Sequence, residues 1–250
     1  MTSLRVVWRS WRVLLHLLRG LVTIVWLFPR LRQAQRDLRV QAWASAMLLR
    51  LGVTLHVAGT PPTIGPMLLV CNHVSWLDII VLHAAHHCRF VSKADVGRWP
   101  IIGRLATGAG TLYIERASRR DAMRVVHDMV HALRDGDILA VFPEGTTGDG
   151  NALLPFHANL IQAAISASAP VQPVALRYVD PYGNTSQAAS YIGDESLGGS
   201  IWRLLGSNGL VAAVRFGAPE QADDRNRRQW AQALHNEVNR LMQLLQKSVV

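Results

Sequence analysis

The sequence predicts an α/β fold: a mixed, mostly parallel sheet flanked by helices, with an amphipathic two-helix motif at the N-terminus. From about Gly52 onward, short β-branched and aliphatic runs alternate with segments of helical periodicity, which is typical of a sheet covered by helices. Before Gly52, apolar runs are interleaved with arginines. A chain of 250 residues suits one α/β domain with an appendage. We therefore expect an N-terminal segment, 1–50, and an α/β domain, 51–250.

The basic charge is concentrated in the N-terminal segment. The formal net charge is +9, and residues 1–50 hold nine arginines against the single acid Asp37, a net of +8. Because these arginines are interleaved with Leu, Val and Trp, lipid is favoured over nucleic acid as the partner. Arginines meet anionic head groups while Trp and Leu enter the acyl boundary, so we expect a membrane-docking motif broken at Pro29. The tryptophans of this segment are Trp8, Trp11, Trp26 and Trp43.

Two other interpretations of this segment remain. The charge-free stretch after Arg19, GLVTIVWLFP, supplies about half of the ~20 apolar residues that a spanning helix needs. A single tilted span that includes His16 and Arg19 is one alternative, and a helical pair docked on its own protein is the other. A signal peptide is not expected, because the small-residue triplet 44–46 lies beyond four further arginines. The expected location is the cytoplasmic face of the inner membrane, with a monotopic or single-span anchor.

The domain that follows contains seven candidate strands and several helices. The strands are 53–58, 67–71, 89–93, 111–115, 138–142, 171–178 and 210–216. Pro173 stands inside one of these runs, where a central strand would resist it. Helices are predicted at 118–134, at 159–168 and from about 223, and the polar, glycine-rich stretch 180–199 is expected to be a surface loop.

The stretch NHVSWLD follows the apolar run PMLLVC. Ser75-x-x-Asp78 is a capping box, which accounts for both residues as a helix start. It does not account for His73, which would lie at the carboxyl end of a strand, where open α/β sheets place their ligands.

Three more blocks end other strands. GTLYIER brings Gly110 and Arg116 to the end of a second strand. FPEGTTGDG brings Glu144, Gly145 and Thr146 to the end of a third, with glycines that let backbone amides approach an anion. VQPVALRY is centred on a proline, Pro173.

Taken in this order, the four blocks resemble those of the glycerolipid acyltransferase family, which includes 1-acylglycerol-3-phosphate acyltransferases. The family's marks are N-H-x4-D, G-x-x-x-I-x-R, F-P-E-G-T and a proline-centred block, and the resemblance covers 66–178. It implies that His73 is the general base and Asp78 its orienting partner. It also implies that Pro173 lies near the acyl-donor pocket. The acceptor's phosphoglycerol head would be held by Arg116, Glu144, Gly145 and Thr146, with Gly110 in the same block as Arg116.

The implied reaction is chemically coherent. An imidazole held by a carboxylate suits removal of a hydroxyl proton near neutral pH, and a guanidinium binds phosphate in fork geometry. The donor would be acyl-CoA or acyl-carrier protein, the acceptor a lysophospholipid, and no cofactor is expected. Gly148 stands where serine is common in the family, and His157 and Asn159 stand where many members have lysine and glycine. These departures bear on the acceptor head group, so another lyso-lipid, such as lyso-ornithine lipid, is an alternative acceptor.

Other residues allow other hypotheses. Cys71, two residues before His73, could be a thiol nucleophile, although a buried strand cysteine fits the pattern better. His83, His86 and His87 could be ligands on one helix side, but no acid or cysteine accompanies them, and no metal is expected. A serine-type hydrolase is a weaker alternative, because the sequence has no G-x-S-x-G elbow. A non-catalytic membrane-binding protein is the third class.

Overall fold

The computed structural model describes residues 2–114 and 119–248. At the N-terminus, α1 (Thr2–Val22) continues through a π-helical stretch (Thr23–Leu27) into a 3-10 turn (Phe28–Arg30). The chain then reverses into α2 (Gln33–Leu51). The helical path therefore ends just after Pro29, close to the predicted break, and Leu31 and Arg32 form the extended connection to α2.

Seven strands form one sheet in the order β1-β7-β6-β2-β5-β3-β4. The β6–β7 pair is antiparallel and every other neighbouring pair is parallel, so the predicted mixed, mostly parallel sheet is confirmed. The strands are β1 Val53–Ala58, β2 Met67–Cys71, β3 Arg89–Lys93, β4 Leu112–Ile114, β5 Ile138–Val141, β6 Val171–Val179 and β7 Leu210–Phe216.

Helices cover both faces of the sheet. They are α3 Leu77–Ala85, α4 Ala94–Gly97, α5 Ile102–Gly108, α6 Arg119–Arg134, α7 Ile161–Ala167, α8 Leu197–Gly206 and α9 Arg227–Ser248. Alternate residues of β2 show the two layers. Met67, Leu69 and Cys71 pack with α2, α3 and α8, whereas Leu68 and Val70 pack with α6, α7 and α9. Because β2 is buried on both faces, its sequence is a continuous apolar run rather than an alternating one.

The stretch 180–199 differs from its prediction, because α8 begins at Leu197 with the Ser196 hydroxyl accepting from the Gly199 amide. The Ser196 cap is the local signal that the glycine-rich composition concealed.

Pro173 also differs from its prediction, because it lies within the central strand β6 and pairs with Val70 of β2. On the β7 side its carbonyl accepts from the Gly217 amide at 2.9 Å, but proline has no N–H to return the bond. The buried side chain of Gln172 donates to the Gly217 carbonyl at 2.8 Å instead. This neighbouring amide explains how a central strand tolerates a proline.

The two N-terminal helices relate differently to the domain. In α2, Ala44, Met47, Leu48 and Leu51 are buried in the same core cluster as α3 and β2. The inward face of α1 mixes apolar and polar side chains: Val6 is buried in that cluster, and Arg9 donates to the carbonyls of Leu205 and Ser207 at the end of α8. The segment Leu4–Arg30 is long and apolar enough to cross a membrane by length and composition. Its N-terminal apolar helix suggests membrane association.

Candidate active site

The site forms where β2 ends and α3 has not yet begun. The side chain of Asn72 continues the strand pairing: its Nδ2 donates to the Leu176 carbonyl at 2.9 Å, and its Oδ1 accepts from the Leu176 amide at 2.8 Å. Asn72 is buried, so both bonds form away from solvent. They hold the turn that carries His73 against β6, at the carboxyl edge of the parallel strands.

His73 and Asp78 form a hydrogen-bonded pair across this turn. His73 Nδ1 lies 2.8 Å from Asp78 Oδ2, and the carboxylate is fully buried while the imidazole is 19% exposed. The same Oδ2 accepts from the backbone amides of Val74 at 2.7 Å and Ser75 at 2.9 Å. The capping interpretation and the His–Asp pair are therefore both realised, by one oxygen atom. Asp78 fixes the imidazole and the first turn of α3 together.

The imidazole also has an aromatic neighbour. The ring of His73 stacks on Phe142, the residue after β5, with centroids 4.0 Å apart and planes 11° from parallel. Stacking on one side and the carboxylate at Nδ1 leave Nε2 as the ring nitrogen that can accept a proton. The ring is therefore held in one orientation with one edge available.

Glu144 lies beside His73, but its carboxylate faces the protein backbone. Its Oε1 accepts from the His73 amide at 2.6 Å and its Oε2 from the Leu154 amide at 2.8 Å. The side chain is buried, and that burial raises the pKa of Glu144 above its usual value, although the two amides act in the opposite direction. Glu144 thus ties the loop after β5 to the turn after β2.

The rest of this loop lies around the same turn. Gly145 has a φ of +73°, a conformation that favours glycine, and a Cβ there would lie 3.1 Å from the ring of His157. Thr146 is exposed, next to Gly145. The Gly148 amide donates to the His73 carbonyl at 2.8 Å. A Cβ on Gly148 would meet no atom closer than 3.7 Å, so the serine common in the family would fit here.

Two of the predicted site residues lie away from the turn that carries His73. Gly110 precedes β4, at the amino edge of the sheet, where its carbonyl accepts from Arg89. The expectation that it reaches the strand's carboxyl end is wrong, since the strand begins only at Leu112. Pro173 is buried within β6, opposite Val70, and so lies below the edge that carries His73. Arg116 lies outside the described residues.

The alternative chemistries gain no support from the geometry. Burial and the neighbouring Asp78 and Glu144 raise the pKa of the Cys71 thiol well above its usual value, which disfavours the thiolate that a nucleophile requires. His83 and His87 stack on each other, and burial lowers the pKa of His83 to about 3, so it is neutral at pH 7. Within 2–114 and 119–248, no group of three His, Cys, Asp or Glu residues is arranged to hold a metal ion.

Sequence reasoning missed two residues of the site. Asn72 stands directly after an apolar strand, and that position could have indicated an amide continuing the ladder. Tyr178 donates its hydroxyl to Asp78 Oδ1 at 2.7 Å from a strand 100 residues away, a contact that depends on the pairing of β6 with β2.

Comparison with known proteins shows the family of this chain. Residues 52–177 match the family model described as Acyltransferase. The 1-acyl-sn-glycerol-3-phosphate acyltransferase of Neisseria gonorrhoeae is 38% identical over 183 residues, 72% of this chain and 71% of that protein. The lyso-ornithine lipid O-acyltransferase of Pseudomonas aeruginosa is 38% identical over 218 residues, 84% of this chain and 83% of that protein.

A solved structure supports the fold. The crystal structure of the 1-acyl-sn-glycerophosphate acyltransferase of Thermotoga maritima matches with a TM-score of 0.70 at 16% identity, over 98% of this chain and 97% of that one. The relatives are named for transfer to lyso-lipids of two kinds, and the family model spans the turn with His73 and the loop with Glu144. The chain is therefore an enzyme of the lyso-lipid acyltransferase type and belongs to the Acyltransferase family.

Proposed function

We propose that the protein transfers a fatty acyl group from acyl-CoA or acyl-carrier protein to the free hydroxyl of 1-acylglycerol-3-phosphate, giving phosphatidic acid. The observation that carries the proposal is the imidazole of His73, held at Nδ1 by a buried carboxylate and stacked on Phe142. A base for this reaction needs a fixed ring and a free nitrogen, and this histidine has both.

The proposed reaction needs no covalent enzyme intermediate. His73 Nε2 removes the proton of the acceptor hydroxyl as its oxygen attacks the thioester carbonyl. The tetrahedral intermediate collapses with cleavage of the carbon–sulfur bond. The departing thiolate takes the proton from the imidazolium, which leaves an ester, a free thiol and neutral His73. Asp78 stabilises the imidazolium that forms in between, since an ionised partner strengthens the hydrogen bond.

The acceptor assignment rests on the phosphate. Arg116 is the residue that the family resemblance assigns to the head group, and guanidinium forks bind phosphate in bidentate fashion. Thr146 and Gly145 lie on the loop beside His73 and are the other proposed contacts. Glu144 is excluded from this proposal, because both of its oxygens accept backbone amides and an anionic carboxylate repels a phosphate.

A second acceptor has an observation in its favour. His157 lies against Gly145 in the loop, where many family members carry a lysine. An imidazole has less positive charge than an ammonium at neutral pH, so this position suits a weaker anion or a zwitterion. Relatives named lyso-ornithine lipid O-acyltransferase match at 38% and 34% identity. Lyso-ornithine lipid is therefore the second candidate.

The competition between these acceptors tests the proposal. Purified full-length enzyme with acyl-CoA is expected to acylate 1-acylglycerol-3-phosphate faster than lyso-ornithine lipid. Arg116→Ala is expected to remove most of that preference, roughly 10- to 100-fold in kcat/KM, because a charge-assisted hydrogen bond contributes about 1.5–3 kcal/mol. Arg116→Lys keeps the charge but not the fork, so it should lose only part of the preference. Product is measured by mass spectrometry at several acceptor concentrations.

The matched control is Arg240→Ala, which removes an exposed arginine that pairs with Glu237 on α9. Its acceptor preference should equal that of the wild type. Faster acylation of lyso-ornithine lipid by the wild-type enzyme would favour the second acceptor. An unchanged KM for the phosphate acceptor in Arg116→Ala would make Arg116 a structural residue.

We also propose that the enzyme docks on one leaflet of an anionic membrane through α1 rather than crossing it. The large apolar side chains exposed on α1 and its extension recur every three or four residues, which places them on one stripe. The outer stripe consists of Leu4, Val7, Trp8, Trp11, Leu14, Leu15, Leu18, Val22, Val25 and Trp26. The opposite side packs on the domain, where Arg9 contacts α8 and His16 contacts Trp43 of α2. A helix with one face on its own protein and the other apolar suits the membrane interface.

Replacement of three tryptophans of the outer stripe tests this docking. Trp8→Ser, Trp11→Ser and Trp26→Ser combined should abolish sedimentation with anionic liposomes, because each buried Trp contributes on the order of 2 kcal/mol to the interface. These side chains are 61%, 56% and 67% exposed, so folding should be preserved. Tyr182→Ser is the control, since Tyr182 is 87% exposed outside the stripe. Wild-type protein that resists both high salt and alkaline carbonate extraction would instead indicate a span.

A further inference from the structure

Tyr178 is placed beside the His73–Asp78 pair by the unequal lengths of two neighbouring strands. β2 ends at Cys71, which is opposite Val174 of β6, whereas β6 continues to Val179. The last residues of β6 therefore run past the end of β2, alongside the turn that carries His73. Tyr178 shares a sheet face and a core cluster with Val174 and Leu176, the same cluster that holds the first turns of α3. Its side chain is thus directed at Asp78.

The two carboxylate oxygens of Asp78 have separate partners. Oδ2 accepts from His73 and from two backbone amides of the turn, whereas Oδ1 accepts from the Tyr178 hydroxyl at 2.7 Å. Asp78 is 0% exposed and Tyr178 is 2% exposed. A buried carboxylate requires hydrogen-bond donors to remain ionised, and the phenol supplies one that no water can replace easily.

The phenol is a donor throughout the working pH range. Burial, together with the charge of Asp78, raises the pKa of Tyr178 well above its usual value. The other titratable groups around His73 are Asp78 on α3, Glu144 after β5 and the buried Cys71 of β2, with the exposed His157 on the same loop as Glu144. Tyr178 donates to Oδ1 of Asp78, whereas the imidazole bonds to Oδ2.

We propose that Tyr178 is a positioning residue that sets the basicity of His73 through its hydrogen bond to Asp78. This inference rests on the proposed function, in which His73 is the general base. A carboxylate with a phenol donor is a weaker acceptor for the imidazolium proton than one without it. Loss of the hydroxyl strengthens the imidazolium–carboxylate pair, so His73 holds its proton to higher pH and the basic form becomes scarcer at a given pH.

The test is the pH dependence of kcat/KM for acyl transfer by full-length Tyr178→Phe. The acidic limb of this pH profile reports the ionisation of the base in the free enzyme, and its midpoint should move to higher pH by roughly one unit. The NMR titration midpoint of the His73 imidazole, measured without substrate, should move in the same direction. Incorporation of 3-fluorotyrosine at position 178 keeps the shape of the side chain but makes the phenol a stronger donor. It should move both readouts downward, and it covers the case in which Tyr178→Phe fails to fold.

Tyr113→Phe is the matched control, because its hydroxyl donates to the Gly103 carbonyl at 3.1 Å, in another part of the sheet. Its acidic limb should equal that of the wild type. Tyr178→Phe could instead lower the melting temperature while the acidic limb of the kcat/KM profile and the titration midpoint of the His73 imidazole stay as in the wild type. That result would show that Tyr178 is purely structural and would overturn the inference. His73→Ala distinguishes the two levels: an active His73→Ala overturns the proposed function, whereas an inactive His73→Ala with an unmoved Tyr178→Phe profile overturns only the role of Tyr178.

Discussion

His73→Ala is expected to lower kcat/KM for acyl transfer by about 10²- to 10⁴-fold, the usual contribution of a general base. The substitution removes the ring and leaves Asp78 with the two backbone amides and the Tyr178 hydroxyl as donors. Those bonds keep the first turn of α3 in place, so the melting temperature should fall only slightly. The measurements are steady-state rates with acyl-CoA and 1-acylglycerol-3-phosphate, together with thermal unfolding.

His56→Ala is the matched control, because His56 is an exposed histidine on β1. It should retain wild-type turnover. Asp78→Asn is less informative, because the Asn side chain would point its NH₂ group at one of the donors that now bond to the carboxylate. The stability of the turn and the activity would therefore fall together. Near-wild-type turnover in a folded His73→Ala enzyme would contradict the proposed mechanism.

The fold could be predicted because each strand left a local mark in the sequence. The run MLLVC is apolar at every position, and the structure buries it on both faces of the sheet. The helix predicted at 118–134 ends at Arg134, two residues before Gly136, whose φ of +89° is typical of a glycine that follows a helix. The error at Pro173 has a non-local cause. Pro173 lies in a central strand only because the side chain of Gln172 replaces the missing donor, and no periodicity indicates such a substitution.

The site was predictable in its parts but not in its connections. The five-residue spacing of His73 and Asp78 across a helix start allows their hydrogen bond, and the three-residue spacing of Ser75 and Asp78 matches a capping box, so the sequence pattern predicts both. The partners of Asp78 and Glu144 depend on which strands are neighbours. Tyr178 reaches Asp78 because β6 lies next to β2, and Glu144 reaches the His73 amide because β5 lies on the other side of β2. Sheet order is a property of the whole chain and has no local mark.

Glu144→Ala is expected to lower kcat by roughly 10²-fold with little change in the acceptor KM, since misplacement of a reacting group by about 1 Å can cost that much. The carboxylate accepts the amides of His73 and Leu154, and its loss leaves both donors without this partner, at a cost of about 1–3 kcal/mol each in stability. The turn that presents the imidazole should loosen, and thermal unfolding should occur at a lower temperature. Rates across a range of acceptor concentrations separate kcat from KM.

Asp149→Ala controls for removal of a carboxylate from the same loop. Asp149 also accepts a hydrogen bond from a backbone amide, that of Asn151 at 2.9 Å. Because Asp149 is exposed, water can take the place of its carboxylate as acceptor, so the stability and the rates of the variant should stay close to those of the wild type. The split between the two kinetic constants decides the role of Glu144. A residue that grips the phosphoglycerol head would raise the acceptor KM with kcat unchanged, and that result would contradict the backbone role. A fall in kcat alone would mean that this glutamate acts on the reaction through the position of His73.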